Sequence, residues 1–408
     1  MTNPRCRICG SPDLELAWEL APSPYGDLFR ETKEAAQNLP LIGLTLVICR
    51  ECKLLQITQE VDAEKIYEDY LYQSSVTSGL TDYYRRLSGQ LVAQFGLQKN
   101  DLVIDVGSND GTGLIPYRDR NFRILGIEPS RAPAVAALEA GIPTLNGFLN
   151  ENTVASATTM HGPAKLVCAN YVAANVPDPV AFFQSMRAML APDGAISVVT
   201  GYHPDQFAVN MFDYINHDHL SYFSVDSAVH LAEACDLKLT GADRVEHKGG
   251  SIHLVFHPAN AAVQPDESIS KLIQRERWLR VGDVATYNAL ASRIDSAGRE
   301  VRELLSTLGA SEIAGIGASI STTHLLHQFG IGERVTRLFD DDPKKIGRFS
   351  PGYGIEVSPL KDIRTWVGGS AILLAWQHSE VLAKRAADEG FVGPTVVPLP
   401  RPLLLTLN

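Results

Sequence analysis

The run Leu102-Val-Ile-Asp-Val106, followed at once by Gly107-Ser-Asn-Asp-Gly111, constrains this chain more than any other feature. A short apolar run bounded by glycine reads as a strand buried on both faces, the usual state of a strand in a parallel sheet. A helix is expected after the turn, and RILGIE then gives a second strand closing on an acid, Glu128. Strand, glycine turn, helix and acid-ended strand open a doubly wound sheet, whose ligand lies beyond the carboxyl ends of the strands. The turn lacks the G-x-G-x-x-G spacing that seats a dinucleotide pyrophosphate on a helix N-terminus. Asp105, Ser108, Asn109 and Asp110 instead offer acceptors suited to an ammonium group, and Glu128 is placed for two ribose hydroxyls. The expected ligand is therefore S-adenosylmethionine, the alternative for Glu128 being a solvated strand end.

Later segments continue the pattern. LVCANYVAANVPDPVAFFQSMRAMLAPDGAISVVT reads as a strand, an amphipathic helix, an Asp-Gly turn at 193–194 and another strand. LKLTGADRVEHKGGSIHLVFH reads as two strands joined through Gly249-Gly250, a closing hairpin for the same sheet.

The first 60 residues follow a different logic. Cys6-Arg-Ile-Cys9 and Cys49-Arg-Glu-Cys52 are two C-x-x-C knuckles, and together they supply the four sulfurs of a tetrahedral zinc site. Gly10 follows the first knuckle, where a tight turn favours a residue free to take positive φ. A closed four-sulfur site folds a segment and leaves no position for reactive water. Reduced free cysteines or a redox pair are the alternative. Four of the six cysteines lie in this segment, unlike the spread bridges of a secreted scaffold.

The formal net charge of −11 repels duplex nucleic acid and acidic membrane surfaces. No apolar run approaches the ~18 residues of a membrane helix, and MTNPRCRICGSPD does not read as a leader. A cytoplasmic protein with a small-molecule partner is expected, without nucleic acid or membrane, as a monomer or small homo-oligomer.

Asn216-His217-Asp218-His219-Leu220-Ser221-Tyr222 is the densest ionisable stretch of the chain. A histidine beside a carboxylate suits proton abstraction near neutral pH. A hydrated surface turn and an adventitious metal site remain the alternatives.

The order of the C-x-x-C pairs, YLYQSSVTSG, IDVGSNDGTG, NHDHLSYFS, HKGGSI and a late GIGAS…DDDPKKIG…LLAWQHS resembles the zinc-containing, S-adenosylmethionine-dependent sugar C-methyltransferases, which act on nucleotide-linked deoxysugars. The likeness runs from Cys6 to about Pro398. It implies that Tyr72, Ser75 and Ser78 close over the donor beside Asp105, Gly107, Ser108, Asn109, Glu128 and Asn170. It also implies that His219 is the base that generates an enolate, with Asp218 orienting it and Tyr222 or His217 shaping the pocket. The family pattern here is Tyr-His-Glu-His, so Asn216 replaces a tyrosine and Asp218 a glutamate. Asn175 stands where a histidine is expected, and Thr200 where a glutamate is expected. The donor side thus matches the family, whereas the acceptor side is rebuilt. A different acceptor, O- or N-methylation, or a non-methylating reaction is the second reading. A non-enzymatic zinc-ribbon interaction protein is the third.

The expected architecture is α/β, with a zinc-binding module over 1–66, a methyltransferase domain over 67–258, and a helical linker plus a second Rossmann-like domain over 259–408. Gly315-Ile-Gly317-Ala-Ser319 before a helix suits either a phosphate cradle or a packing turn. His324, Lys344, Lys345 and Trp376 are the candidate nucleotide contacts there, in a cleft that the resemblance places between the two larger domains.

Overall fold

The computed structural model describes residues 4–60, 73–76, 79–309 and 312–407. The N-terminal segment forms an antiparallel sheet of β1 (Leu14–Ser23), β2 (Ile42–Cys49) and β3 (Leu55–Ile57). Leu44, Leu46, Leu55 and Ile57 are fully buried, so this small sheet has an apolar face that needs a cover. The cover comes from the long helix Val284–Thr307 and from the 212–222 segment, which share its core.

The central sheet holds β4 (Leu102–Val106), β5 (Arg123–Glu128), β6 (Thr144–Asn146), β7 (Ala164–Asn170) and β8 (Leu190–Gly201). A two-residue strand, β9 (Ser221–Tyr222), leaves this unit and adds to the edge of β3. The hairpin β10 (Leu237–Val245) and β11 (Ser251–Pro258) completes a seven-stranded sheet of order β6-β5-β4-β7-β8-β11-β10. Strands β4 to β8 are parallel and β11 runs antiparallel to both neighbours. All five residues of β4 are buried, as its apolar run requires. The chain leaves β4 to β5 on one side and reaches β7 on the other, and this reversal opens a crevice above their carboxyl ends.

Two local expectations are corrected. The helix after the β4 turn is a single turn, Ile115–Arg118, because the glycine-rich segment Gly107–Gly113 takes most of the connection. Asp193-Gly194 is not a turn between elements. It lies inside β8, where Ala164 pairs with Leu190 but Leu166 with Ala195, so the extra residues bulge within a continuous strand.

Two helices, Glu267–Trp278 and Val284–Thr307, lead to the C-terminal unit. The second buries Tyr287, Leu290, Ile294, Ala297, Val301 and Leu305, a stripe at helical spacing. Gly298 lies on the same stripe, and a Cβ there would stand 2.9 Å from the Phe329 ring. The sheet beyond contains β12 (Ile313–Ile316), β13 (Val335–Asp340), β14 (Val357–Pro359), β15 (Ala371–Leu373), β16 (Gly393–Val397) and β17 (Leu403–Leu407). Its order is β14-β13-β12-β15-β16-β17, parallel except for β17, a second Rossmann-like layer. Among the described residues, no helix is long and apolar enough to cross a membrane.

Candidate active site

The sulfurs of Cys6, Cys9, Cys49 and Cys52 all lie within 4.8 Å of one another. Zinc–sulfur bonds of ~2.3 Å put tetrahedral sulfurs roughly 3.8 Å apart, so the cluster fits zinc without rearrangement. Cys6 and Cys52 approach to 3.3 Å and Cys9 and Cys49 to 3.5 Å, pairing each knuckle with the other. Both knuckles end in the left-handed region, at Gly10 (φ +69°) and at Lys53 (φ +61°), so the second achieves with lysine what the first achieves with glycine.

The β4 turn forms the floor of the crevice. Gly107 takes φ +69°, and a Cβ there would meet Val172 at 2.3 Å, so glycine is required twice over. Glu128 is buried rather than solvated: its carboxylate accepts the Asn109 N–H (2.9 Å) and the Ser130 N–H (2.8 Å) while one edge faces the crevice. The remaining lone pairs fit ribose hydroxyls.

The other acceptors have different work. Asn109 Oδ1 accepts the Ser74 N–H (2.9 Å), and Asp110 accepts the Ser75 N–H (2.9 Å) and the Thr112 hydroxyl (2.6 Å). These bonds hold the 74–76 segment over the turn, and Ser74, not Ser75, lines the crevice. Ser108 does not reach the crevice, because its hydroxyl points inward against Gly126. Asp105 sits behind the wall with Asn170 Nδ2 at 3.5 Å, and burial pushes its carboxyl up to about 7. Asn170 itself lines the crevice. Tyr72 and Ser78 lie outside the described residues.

The crevice continues into a cleft of about 1590 Å³ that ends on the C-terminal unit. Ser319, Ser321, Trp376 and Gln377 form that far wall. Asp213 Oδ2 fastens it, accepting Trp376 Nε1 (3.0 Å) and Gln377 Nε2 (2.7 Å). Ser319 caps the helix Ile320–Gln328, so the GIGAS turn both packs and opens a helix N-terminus on the cleft. Gly317 is a packing glycine, since a Cβ there would lie 2.5 Å from Ala375. Of the four candidate nucleotide contacts, Trp376 reaches the cleft. Buried His324 bonds the Ser23 hydroxyl at the end of β1 (3.2 Å) and Lys345 pairs with Asp27 in the loop after it (2.8 Å), both facing the N-terminal segment. Lys344 is not among the cleft residues either.

The 216–222 cluster separates by direction. The Ile57 N–H donates to the Leu220 carbonyl (3.2 Å) and the Leu220 N–H to the Ala174 carbonyl (2.7 Å), pinning the turn between the zinc module and the central sheet. Asn216 Oδ1 accepts the N–H groups of Asp218 (2.9 Å) and His219 (3.2 Å), and Tyr222 Oη accepts the Asn216 N–H (3.3 Å). Both residues shape the turn. Tyr222 is fully buried and does not line the cleft. His217 points away, its Nε2–H donating to the Ile42 carbonyl (3.2 Å) and its ring edge-on to Tyr25.

His219 faces the cleft. Its Nδ1 lies 2.8 Å from the Tyr214 carbonyl and 3.2 Å from Asn216 Nδ2; the shorter contact is to an oxygen that can only accept, which favours the tautomer with the proton on Nδ1 and a lone pair on Nε2. Burial pushes its pKa down to about 4, keeping it neutral at pH 7. The expected Asp218–His219 pairing is not formed: a backbone carbonyl orients the ring. Burial lifts the Asp218 carboxyl to about 6, with Asp27 adding to the effect.

Sequence reasoning missed several cleft residues: Tyr171, Tyr214, His247 and Lys248. The motif HKGGSI marks a turn, but nothing in its spacing says which way the lysine points.

Three family profiles match the chain in series: a zinc binding domain over residues 6–67, a methyltransferase domain over 76–241, and a C-methyltransferase C-terminal domain over 246–400. The C-methyltransferase NovU of Streptomyces niveus is 28% identical over 407 residues, covering 98% of this chain and 96% of that one. Magnesium protoporphyrin IX methyltransferase (ChlM) from Synechocystis PCC 6803, solved with bound SAH, is 13% identical, with 48% of this chain and 91% of that one covered at a TM-score of 0.36. The PH0226 protein from Pyrococcus horikoshii OT3 is 11% identical, with 49% and 100% covered at the same TM-score of 0.36. With the four-cysteine cluster, the seven-stranded sheet and the second Rossmann-like layer in matching order, the chain belongs to the S-adenosylmethionine-dependent C-methyltransferases that carry a zinc-binding module.

Proposed function

We propose that the acceptor is a nucleotide-linked keto-deoxysugar, methylated at the carbon beside its ketone. The observation that carries this reading is His219, an imidazole whose Nδ1 lies 2.8 Å from the Tyr214 carbonyl and which lines a cleft that runs from Glu128 to Trp376, leaving Nε2 as the basic atom. When bound at the β4 turn, S-adenosylmethionine supplies an electrophilic methyl group. Glu128 and the turn backbone hold that donor, and the 74–76 segment shields it from water. Opposite, the helix N-terminus at Ser319 suits a diphosphate, and the Trp376 ring suits a sugar or base face. His219 Nε2 takes the α-proton of the acceptor, leaving a carbon nucleophile in a cleft long enough for both ligands.

The rebuilt acceptor wall gives the second reading its footing. Asn175 lines the cleft where the family pattern has histidine, and Asn216 is used to hold the turn. Incubation with a ¹³C-methyl donor and a nucleoside-diphosphate keto-deoxyhexose separates the two. The label is expected on a carbon adjacent to the carbonyl, read by carbon–carbon coupling in NMR. Label on oxygen or nitrogen, or no transfer to that acceptor, contradicts the proposal.

A further inference from the structure

His219 alone is an incomplete solution to the chemistry. The burial that keeps it neutral also makes it a weak base, and a ketone's α-proton is far less acidic than an imidazolium. The acceptor must therefore be acidified from its oxygen side, by a donor placed where negative charge develops. Neither Asp218 nor His217 can do this, since both lie off the cleft.

The β10–β11 hairpin carries a group that can. Lys248 lies on the cleft wall together with His219 and Tyr214. It holds a left-handed backbone (φ +53°), unusual for a lysine, and Gly249 (φ +74°) and Gly250 (φ +118°) continue the turn. The glycines are packed tightly: a Cβ on Gly249 would stand 2.4 Å from Met211 Sδ, and one on Gly250 2.8 Å from Asp205 Cβ. The turn is thus clamped in the conformation that directs the lysine inward. Nζ rests 4.0 Å from the centroid of the Tyr171 ring. Tyr171 is also left-handed (φ +59°) and lies within hydrogen-bond distance of His247 Nδ1 (3.2 Å), whose ring stacks on Tyr83 at 5.3 Å. Tyr171, just after β7, and Lys248, in the β10–β11 turn, are thus two left-handed residues that meet on one cleft wall, and such strain clusters at functional sites.

We propose that Lys248 is a catalytic residue of the acceptor subsite, its ammonium holding the ketone oxygen while His219 Nε2 removes the α-proton. The assignment rests on the keto-acceptor reading given above. In the step, the C–H bond breaks and its electron pair forms the new C=C bond. The carbonyl π pair moves to oxygen, giving an enolate held by Lys248 N–H, and the proton ends on Nε2. Tyr171 and His247 are positioning residues that fix the ammonium. Among the described residues, the charged and titratable groups that share this wall include Tyr171 just after β7, Glu246 and His247 on the hairpin, and His219 and Tyr214 on the 212–222 segment. Arg86 and His378 lie beyond His247. Burial pushes the Lys248 pKa down to about 8, so its cationic form persists through neutral pH and is lost above it.

The test follows α-proton exchange of a nucleoside-diphosphate keto-deoxyhexose in D₂O with S-adenosylhomocysteine bound, beside calorimetric donor binding. Lys248→Met keeps the packing of the stem, and it is expected to lower exchange ~10²–10³-fold with donor affinity unchanged. Lys248→Arg is expected to keep measurable exchange and to move the alkaline limb of the pH profile above its wild-type position near 8. Wild-type exchange in Lys248→Met, or an alkaline limb unmoved in Lys248→Arg, overturns the assignment and leaves the keto-acceptor reading standing. Loss of donor affinity in Lys248→Met also overturns it, placing the lysine on the donor instead. A wild-type enzyme that neither exchanges the proton nor methylates carbon contradicts the keto-acceptor reading, and this assignment falls with it.

Discussion

Replacing His219 by glutamine is expected to lower turnover ~10²–10⁴-fold, the range a positioned general base supplies, with S-adenosylmethionine affinity unchanged. On the proposed reading the donor rests on the β4 turn and Glu128, whereas His219 is held from the Tyr214 carbonyl and the Asn216 side chain. The two sites therefore separate on mutation. Asp218→Asn is expected to keep near-wild-type turnover, because its carboxylate makes no hydrogen bond to the imidazole. The sign of the pH effect follows from the depressed pKa. The base must be neutral, so kcat/KM falls as pH drops through about 4 and not near the ordinary histidine value of ~6.5. Single-turnover rates and donor calorimetry on both variants check this. Near-wild-type turnover in His219→Gln would move the base elsewhere.

Loss of zinc is expected to remove activity as well as stability. Four-cysteine zinc sites release ~10–16 kcal/mol on binding in small folding units, comparable with the ~5–15 kcal/mol that stabilises a typical domain. Here the consequence reaches the active site by a short route. Cys49 ends β2 and Cys52 precedes β3, so the metal fixes the β2–β3 hairpin. β3 pairs with Ser221–Tyr222, two residues beyond His219, and β2 lends the Ile42 carbonyl to His217. A Cys52→Ser protein is expected to carry well under one equivalent of zinc, to unfold at lower temperature, and to lose most turnover. Donor binding should persist, since β4 and β5 belong to another sheet. Metal content, thermal unfolding and donor affinity measured on one preparation check it. A zinc-free protein with full turnover would show the module to be independent of the site.

Much of this arrangement is legible in the sequence where the signal is local. The knuckle spacing gives the metal ligands, the LVIDV run gives the buried central strand, and the acid closing RILGIE gives Glu128. What escapes depends on direction and on backbone atoms. Adjacent residues 216–219 point to different sides, so His217 and His219 have unrelated surroundings despite sharing one motif. The group orienting His219 is the main-chain carbonyl of Tyr214, and a carbonyl has no signature in a residue pattern. Asn109 and Asp110 do offer the acceptors that the turn promised, but the 74–76 segment takes them. Lys248 reaches the cleft through a left-handed turn, and HKGGSI announces the turn without its aim. Asp193-Gly194 shows the converse case: a strong turn dipeptide becomes a bulge because β8 pairs on both sides of it.

The central claim is that a carbon acid is deprotonated in the cleft between Glu128 and Trp376. Wild-type protein with bound S-adenosylhomocysteine and a nucleoside-diphosphate keto-deoxyhexose in D₂O tests it by NMR, with no methyl group to transfer. The account predicts loss of the α-proton signal beside the ketone at a rate that His219→Gln abolishes. Retention of that proton by the wild type, under conditions where the same protein methylates the same acceptor, would contradict it.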